Sequence, residues 1–245
     1  MTPFSGQAIL LDIEGTTSSI SYIYDTMFPY VRQHLAEFLR ANWHRHELVD
    51  AVAQLAVDAD VEPQTWLAGM SPQEAQQQVV EHVQRLMDGD AKSTGLKQLQ
   101  GLIWKAGFES HELTGHLFPD VASALRSWKR CGVKIYIYSS GSIAAQKLYF
   151  GFSQEGNLLP LIDGHFDTSA GNKRESASYH FIARAIGLPE QECLFVSDNV
   201  DELNAARSAG MSTLLSVRPG NPPTPSVEHD QISDFMQIEC ATVAR

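Results

Sequence analysis

AILLDIEGTT, residues 8–17, is the stretch on which the fold turns. Four apolar residues in a row, Ala8 to Leu11, bounded by Asp12 and Gly15, have the length and punctuation of a strand buried on both faces, as in a parallel sheet. Two carboxylates, Asp12 and Glu14, fall directly after that strand, with two threonines behind Gly15. A surface turn uses such residues for local backbone geometry. A phosphoryl-transfer site uses them for chemistry, and the rest of the chain has to decide between the two.

From about Asp25 to about His116 the periodicity is helical, with no convincing strand. Pro29 near an N-terminus, with Val31, Leu35, Phe38 and Leu39 on one face, predicts a helix over FPYVRQHLAEFLRANW. Ser71-Pro72-Gln73-Glu74 combines a capping-box pattern with proline at the first helical position, and Ala75, Val79, Val83 and Leu86 follow at helical spacing. After Gly89, Leu96, Leu99, Ile103 and Ala106 repeat that period. A small bundle of four helices is the expected outcome.

From Pro119 helix and strand alternate. DVASALRSWKRCG reads as a helix with Asp120 as N-cap and Gly132 just past its end. VKIYIY (133–138), CLFVS and STLLSV read as strands, while KRESASYHFIARAIG and NVDELNAARSAG, the latter closed by Gly210, read as helices. Strands separated by such helices imply right-handed βαβ crossovers and a parallel sheet. RPGNPPTP (218–225) reads as a loop, and the tail beyond it carries little signal. The expected architecture is therefore α/β, a Rossmann-like parallel-sheet core over residues 1–20 and 117–245, with an inserted helical cap over 21–116. An insert after the first strand starts beside the carboxyl edge, where such sheets bind ligands, and can serve as a lid.

Composition narrows the function. Hydrophobic residues at 43% and charged residues at 19% fit a folded chain rather than a disordered one. A formal net charge of −11 repels phosphate backbones and anionic membranes, so neither nucleic acid nor a membrane is expected as partner. An anionic substrate would then need a local positive feature or a metal. Cys131, Cys193 and Cys240, odd in number and widely spaced, make neither a disulfide framework nor a metal motif and read as free thiols. The N-terminus lacks a secretory pattern and no run approaches about 18 apolar residues, so a cytoplasmic location is expected.

Four places where a strand ends or a helix begins carry small, hydroxyl or charged residues: DIEGTT (12–17), SSGS (139–142), GNKRES (171–176) and SDNVDE (197–202). Each alone has an ordinary explanation: a turn, a helix cap, a solvated lysine, another cap. Together and in this order they make a complete set for phosphate-ester hydrolysis. Asp12 is placed as nucleophile, splitting hydrolysis through an aspartyl-phosphate. Asp198 is its natural partner in holding Mg²⁺, which takes a few protein oxygens plus waters and phosphate oxygens. Ser139, Ser140 and nearby N–H groups can grip phosphate, Lys173 can neutralise charge, and Glu14 is positioned as general acid or base.

With these residues the chain resembles the haloacid dehalogenase-like superfamily of aspartate-nucleophile phosphatases over nearly its whole length. It departs from the general Asp-x-Asp pattern in having Asp12-Ile13-Glu14. In this, and in LKQLQGLIW (96–104), IYIYSSGSIAAQKLYFG (135–151), DGHFDTSAGNKRESASY (163–179) and VRPGN (217–221), it is similar to one subgroup, the bifunctional enolase-phosphatases of methionine salvage, or acireductone synthases. The resemblance implies 2,3-diketo-5-methylthiopentyl 1-phosphate as substrate, enolised and then dephosphorylated in one site with one Mg²⁺ per subunit. Residue by residue it implies Asp12 as nucleophile and Mg²⁺ ligand, Asp198 as Mg²⁺ ligand and Glu14 at the metal through its backbone oxygen. Ser139, Ser140 and Lys173 would hold the phosphate, and the protein would be a monomer. Asp201 and Glu202 both stand where the superfamily often has a further acid, and sequence does not choose between them. Trp104, Lys105 and Phe108 are open to either a core or a substrate-facing reading. A conventional phosphatase of the same fold and a silent binding module are the competing readings.

Overall fold

Side chains that favour a pleated, buried surface gather here in short runs, and each run becomes a strand. In the computed structural model, which describes residues 1–223 and 228–240, these are β1 (Thr2–Phe4), β2 (Ala8–Leu11), β3 (Lys134–Tyr138), β4 (Gly164–Phe166), β5 (Cys193–Ser197), β6 (Ser212–Ser216), β7 (Asp230–Ile232) and β8 (Ile238–Cys240). Of the loop expected over 218–225, residues 224 and 225 lie outside the described residues. Six strands form one parallel sheet in the order β4-β3-β2-β5-β6-β7, and β1 pairs with β8 in a separate parallel ribbon. The chain divides into two compact units, residues 1–23 with 114 onward, and residues 24–113.

In the first unit, alternate strand residues point to opposite faces of the sheet. Leu10, Tyr138, Phe195 and Leu215 pack with Tyr179 and Ile182 of the helix Ser176–Ile186 and with Leu203 and Ala206 of the helix Val200–Ser208. Ile9, Leu11, Ile135 and Ile137 are the alternates and are fully buried. Burying both faces is what makes these runs continuously apolar. β4, β7 and the β1–β8 ribbon were not indicated by the sequence, since three-residue strands carry too little periodicity to read.

One local expectation is corrected. Asp120 precedes the helix Val121–Arg130 but makes no side-chain cap there. Its carboxylate is taken by Arg218, at 2.9 and 2.8 Å, and by the Phe235 N–H at 2.7 Å. A buried guanidinium fork outbids a single helix N–H for the carboxylate.

The second unit is a helical bundle of Phe28–Asn42, His46–Asp58, Pro72–Asp88 and Thr94–Glu109, with a short turn of helix at Pro63–Trp66. Val31, Leu35, Leu39, Leu48, Leu55, Val79, Val83, Leu99 and Ile103 form its core. The capping box at Ser71 and Glu74 is present in both directions. Phe108 is fully buried, Trp104 donates its indole N–H to the Met27 carbonyl at 2.9 Å, and Lys105 lies 4.0 Å from Glu109. No helix among the described residues is long and apolar enough to cross a membrane.

Candidate active site

Parallel strands present their carboxyl ends along one edge. Leu11 is in register with both Ile137 and Val196, so Asp12, Ser139 and Asp198 leave the sheet side by side. The Asp12 N–H donates to the Val196 carbonyl at 3.0 Å, extending the ladder by one residue. Thr17 Oγ1 donates to the Asp12 carbonyl at 3.2 Å. The backbone that carries this carboxylate is therefore held from both sides.

Lys173 closes over that carboxylate. Its Nζ lies 2.7 Å from Asp12 Oδ1 and 2.6 Å from Glu202 Oε2. It also stands 5.6 Å from the centre of the Tyr138 ring and 5.9 Å from that of Phe195, on the aromatic floor supplied by β3 and β5. Tyr179 fixes the lysine backbone, its hydroxyl donating to the Lys173 carbonyl at 2.7 Å. Ser197 Oγ is 3.3 Å from Asp12 Oδ2 and 3.0 Å from Glu202 Oε2, and its single proton serves one of them at a time.

Sequence left open whether Asp201, Glu202 or neither serves the site, and capping geometry places only Glu202 against Lys173. Asn199, not Asp198, caps the helix Val200–Ser208, its Oδ1 accepting the N–H groups of Asp201 at 3.0 Å and Glu202 at 3.4 Å. That start turns Asp201 outward, exposed and 3.7 Å from Arg174, and turns Glu202 inward onto Lys173. It also leaves Asp198 without a capping duty. The signal was present in the sequence as an asparagine three residues before Glu202, the N-cap to N3 spacing.

Positive charge is scarce in this cluster. Burial works against the Lys173 ammonium, but Asp12 and Glu202 outweigh it and raise its pKa, so the lysine stays charged. Burial, followed by the Asp12 charge, pushes the Glu14 carboxyl up to about 7. Burial, then Asp12 and Glu202, push Asp198 up to about 7 as well. Glu202 is raised by burial and by Asp12. One ammonium thus faces the carboxyls of Asp12, Glu14, Asp198 and Glu202, an arrangement that favours an added cation.

The donors also suit one. Asp12 and Asp198 side chains with main-chain oxygen offer a hard, all-oxygen set. Among the described residues no three His, Cys, Asp or Glu side chains gather into a metal cage, and a small hard cation that keeps its waters needs only one or two carboxylates. A glycine beside them permits a close approach. Gly15 has φ of 68°, and a Cβ there would overlap the Asp198 carboxylate and stand 3.0 Å from Asn221 Oδ1.

The SSGS loop leaves β3 next to Asp12. Ser139 is buried, its N–H donating to the Phe166 carbonyl at 3.2 Å and its Oγ accepting the Gly141 N–H at 3.3 Å. Ser140 is exposed on the same loop. Ser142 is the helix cap of the group, accepting the Ala145 N–H at 3.2 Å. Gln146 ties the loop down, its Nε2 donating to the carbonyls of Gly141 and Phe166, both at 2.8 Å.

Sequence reasoning gave no role to two residues of VRPGN that brace the loop after β2. Arg218 donates from Nε to the Thr16 carbonyl at 3.1 Å while its fork holds Asp120, and it lies between the rings of Phe118 and Phe235 at 4.7 and 4.5 Å. Asn221 Nδ2 donates to the Gly15 carbonyl at 2.8 Å. Neither partner is near in sequence, so no local pattern could announce them.

The family model "haloacid dehalogenase-like hydrolase" matches residues 7–210. Enolase-phosphatase E1 of Serratia proteamaculans (strain 568) is 43% identical over 238 residues, 97% of this chain and 99% of that protein. Enolase-phosphatase E1 of Pseudomonas aeruginosa (strain UCBPP-PA14) is 46% identical over 233 residues, 95% of this chain and 97% of that protein. The crystal structure of the UTR4 protein of Saccharomyces cerevisiae is similar with a TM-score of 0.79 and 33% identity, covering 94% of this chain and 99% of that one.

Proposed function

The chain belongs to the enolase-phosphatases of the haloacid dehalogenase-like hydrolase family, and we propose that it converts 2,3-diketo-5-methylthiopentyl 1-phosphate through an enol phosphate to 1,2-dihydroxy-3-keto-5-methylthiopentene and phosphate, in methionine salvage. The observation that carries this reading is the Asp12 carboxylate, nearly buried at the tip of β2 and held by Lys173 at 2.7 Å, with Asp198 at the neighbouring strand end.

In this reading Asp12 attacks phosphorus, the ester oxygen leaves with its electron pair, and water then cleaves the aspartyl-phosphate to restore the carboxylate and release phosphate. Glu14, whose carboxyl is pushed up to about 7, is suited to give a proton to the leaving oxygen and to take one from the attacking water. Ser139 and Ser140 hold phosphate oxygens, and Lys173 balances the charge that builds on them.

Hydrolases of this family are generally magnesium-dependent. Asp12, Asp198 and the Glu14 backbone oxygen would hold one Mg²⁺ per subunit, where it would offset phosphate charge and lower the cost of an enolate. The enzyme is proposed to work as a cytoplasmic monomer, a location in keeping with its free thiols.

The test is a Mg²⁺-dependent single-turnover assay on the diketo phosphate that follows enol absorbance and phosphate together. A transient enol that decays as phosphate appears is expected. Phosphate without an enol on the path would reduce the protein to a conventional phosphatase, and no turnover of this or simpler esters would leave it a binding module.

A further inference from the structure

The VRPGN loop after β6 carries a side chain whose hydrogen bonding is half complete. Asn221 Nδ2 donates to two carbonyls, Gly15 at 2.8 Å and Ser216 at 3.2 Å. Two carbonyl acceptors can be met only by the NH₂ end, so the amide orientation is settled and Oδ1 must point the other way. That oxygen is buried and has no hydrogen-bond partner among the described residues. A buried acceptor left unmet forfeits the hydrogen bonds it had in water, so a partner supplied by a bound species would relieve it.

The orphan lies close to Gly15, on the side where a side chain would project. A Cβ built there would stand 3.0 Å from Asn221 Oδ1 and would overlap the Asp198 carboxylate. An unpartnered neutral oxygen and an oxygen of Asp198 therefore both come close to the bare Cα of Gly15, on the loop that carries Asp12 and Glu14. An amide oxygen cannot neutralise a cation's charge, but it can accept a hydrogen bond from the cation's water.

We propose that Asn221 is a positioning residue of the cation site, with its amide N–H groups anchoring the Gly15 turn and its Oδ1 accepting a hydrogen bond from a water in the coordination shell of the divalent cation. This role rests on the Mg²⁺ site proposed above. It gives VRPGN a purpose that neither catalysis nor phosphate binding requires of it. Outer-shell partners of this kind typically change metal affinity by about 10–100-fold when removed.

The experiment titrates the whole protein with Mn²⁺ alone, reading free ion by electron paramagnetic resonance, for the wild type, Asn221→Ala and Asn221→Asp. Thermal midpoints are recorded without metal. Both substitutions remove the amide bonds to Gly15 and Ser216, so both should lower the metal-free midpoint. Only Asn221→Ala also removes the acceptor, so it alone should weaken Mn²⁺ by about 10–100-fold, while Asn221→Asp stays within a few-fold of the wild type or binds more tightly. Unchanged affinity in Asn221→Ala, or equal weakening in both variants, overturns the role of Asn221 and leaves the cation site standing. Should Asn221→Ala fail to fold, Asn221→Asp decides alone: retained affinity supports the acceptor role and weakened affinity overturns it. Absence of Mn²⁺ binding by the wild type overturns the cation site itself and this role with it.

Discussion

The Lys173 ammonium lies 2.7 Å from Asp12 Oδ1, with one side chain 10% exposed and the other 6%. An ion pair this deep keeps its lysine charged and aims one carboxylate oxygen, leaving the other toward Ser197. The pair holds the proposed nucleophile in one orientation.

Removing the lysine should therefore act on both fold and rate. Lys173→Met leaves buried carboxyls without their counter-charge, a change of about 3–5 kcal/mol in stability for a broken buried pair. Turnover should fall by about 10²–10³, the cost of losing one well-aimed electrostatic contact. Urea unfolding and steady-state phosphate release measure the two. Undiminished turnover would remove Lys173 from the site.

Adjacent acids at 201 and 202 should behave differently. Glu202→Gln breaks the second arm of the lysine and should lower turnover at least about tenfold, since charged hydrogen bonds of this kind are worth about 1.5–3 kcal/mol. Asp201→Asn removes only an exposed contact to Arg174 and should change stability by less than about 0.5 kcal/mol, with kcat unaltered. Equal effects in kcat measurements would contradict the inward and outward assignment.

Arg218 and Asp120 should be energetically coupled. Both are buried, joined by two hydrogen bonds, and the arginine also holds the Thr16 carbonyl. Arg218→Met should cost about 3–5 kcal/mol, and Asp120→Leu in addition should restore part of it, because the orphaned charge is then gone. A double-mutant cycle in urea that returned no coupling would show the pair to be independent.

Acid should weaken the fold partly through His165. Burial, with the Lys147 charge second, holds its imidazole down at about 4, whereas in an unfolded chain it titrates near about 6.5. Between those values the unfolded chain takes up a proton that the folded one refuses, so this contribution is full above about 6.5 and is lost as pH falls toward about 4. Gln146 spends its Nε2 on two carbonyls, so its Oε1, 3.2 Å from His165 Nδ1, is the acceptor. His165→Asn should flatten stability across that window, as read from urea midpoints at several pH values. A variant with the same slope as the wild type would acquit the histidine.

Much of the sheet was legible because its cause is local. AILL, KIYIY, CLFVS and STLLS are apolar enough over four or five residues to demand burial on both faces, and helices of the right length stand between them. The capping box at Ser71 and Glu74 is also written within four residues and is formed as written. β4, β7 and the pairing of residues 2–4 with 238–240 were not legible, because three-residue strands owe their existence to a neighbour already in place.

The candidate site divides in the same way. Sequence alone determined that Asp12, Ser139 and Asp198 follow apolar strands, since the end of a buried run is a local event. Only the tertiary structure decided that Lys173 reaches Asp12 and Glu202, that Asp120 serves Arg218 in place of its own helix, and that Asn221 and Asp198 both come close to Gly15. Those contacts join residues far apart in the chain, and their distances are set by strand register and helix placement, which no short stretch of sequence contains.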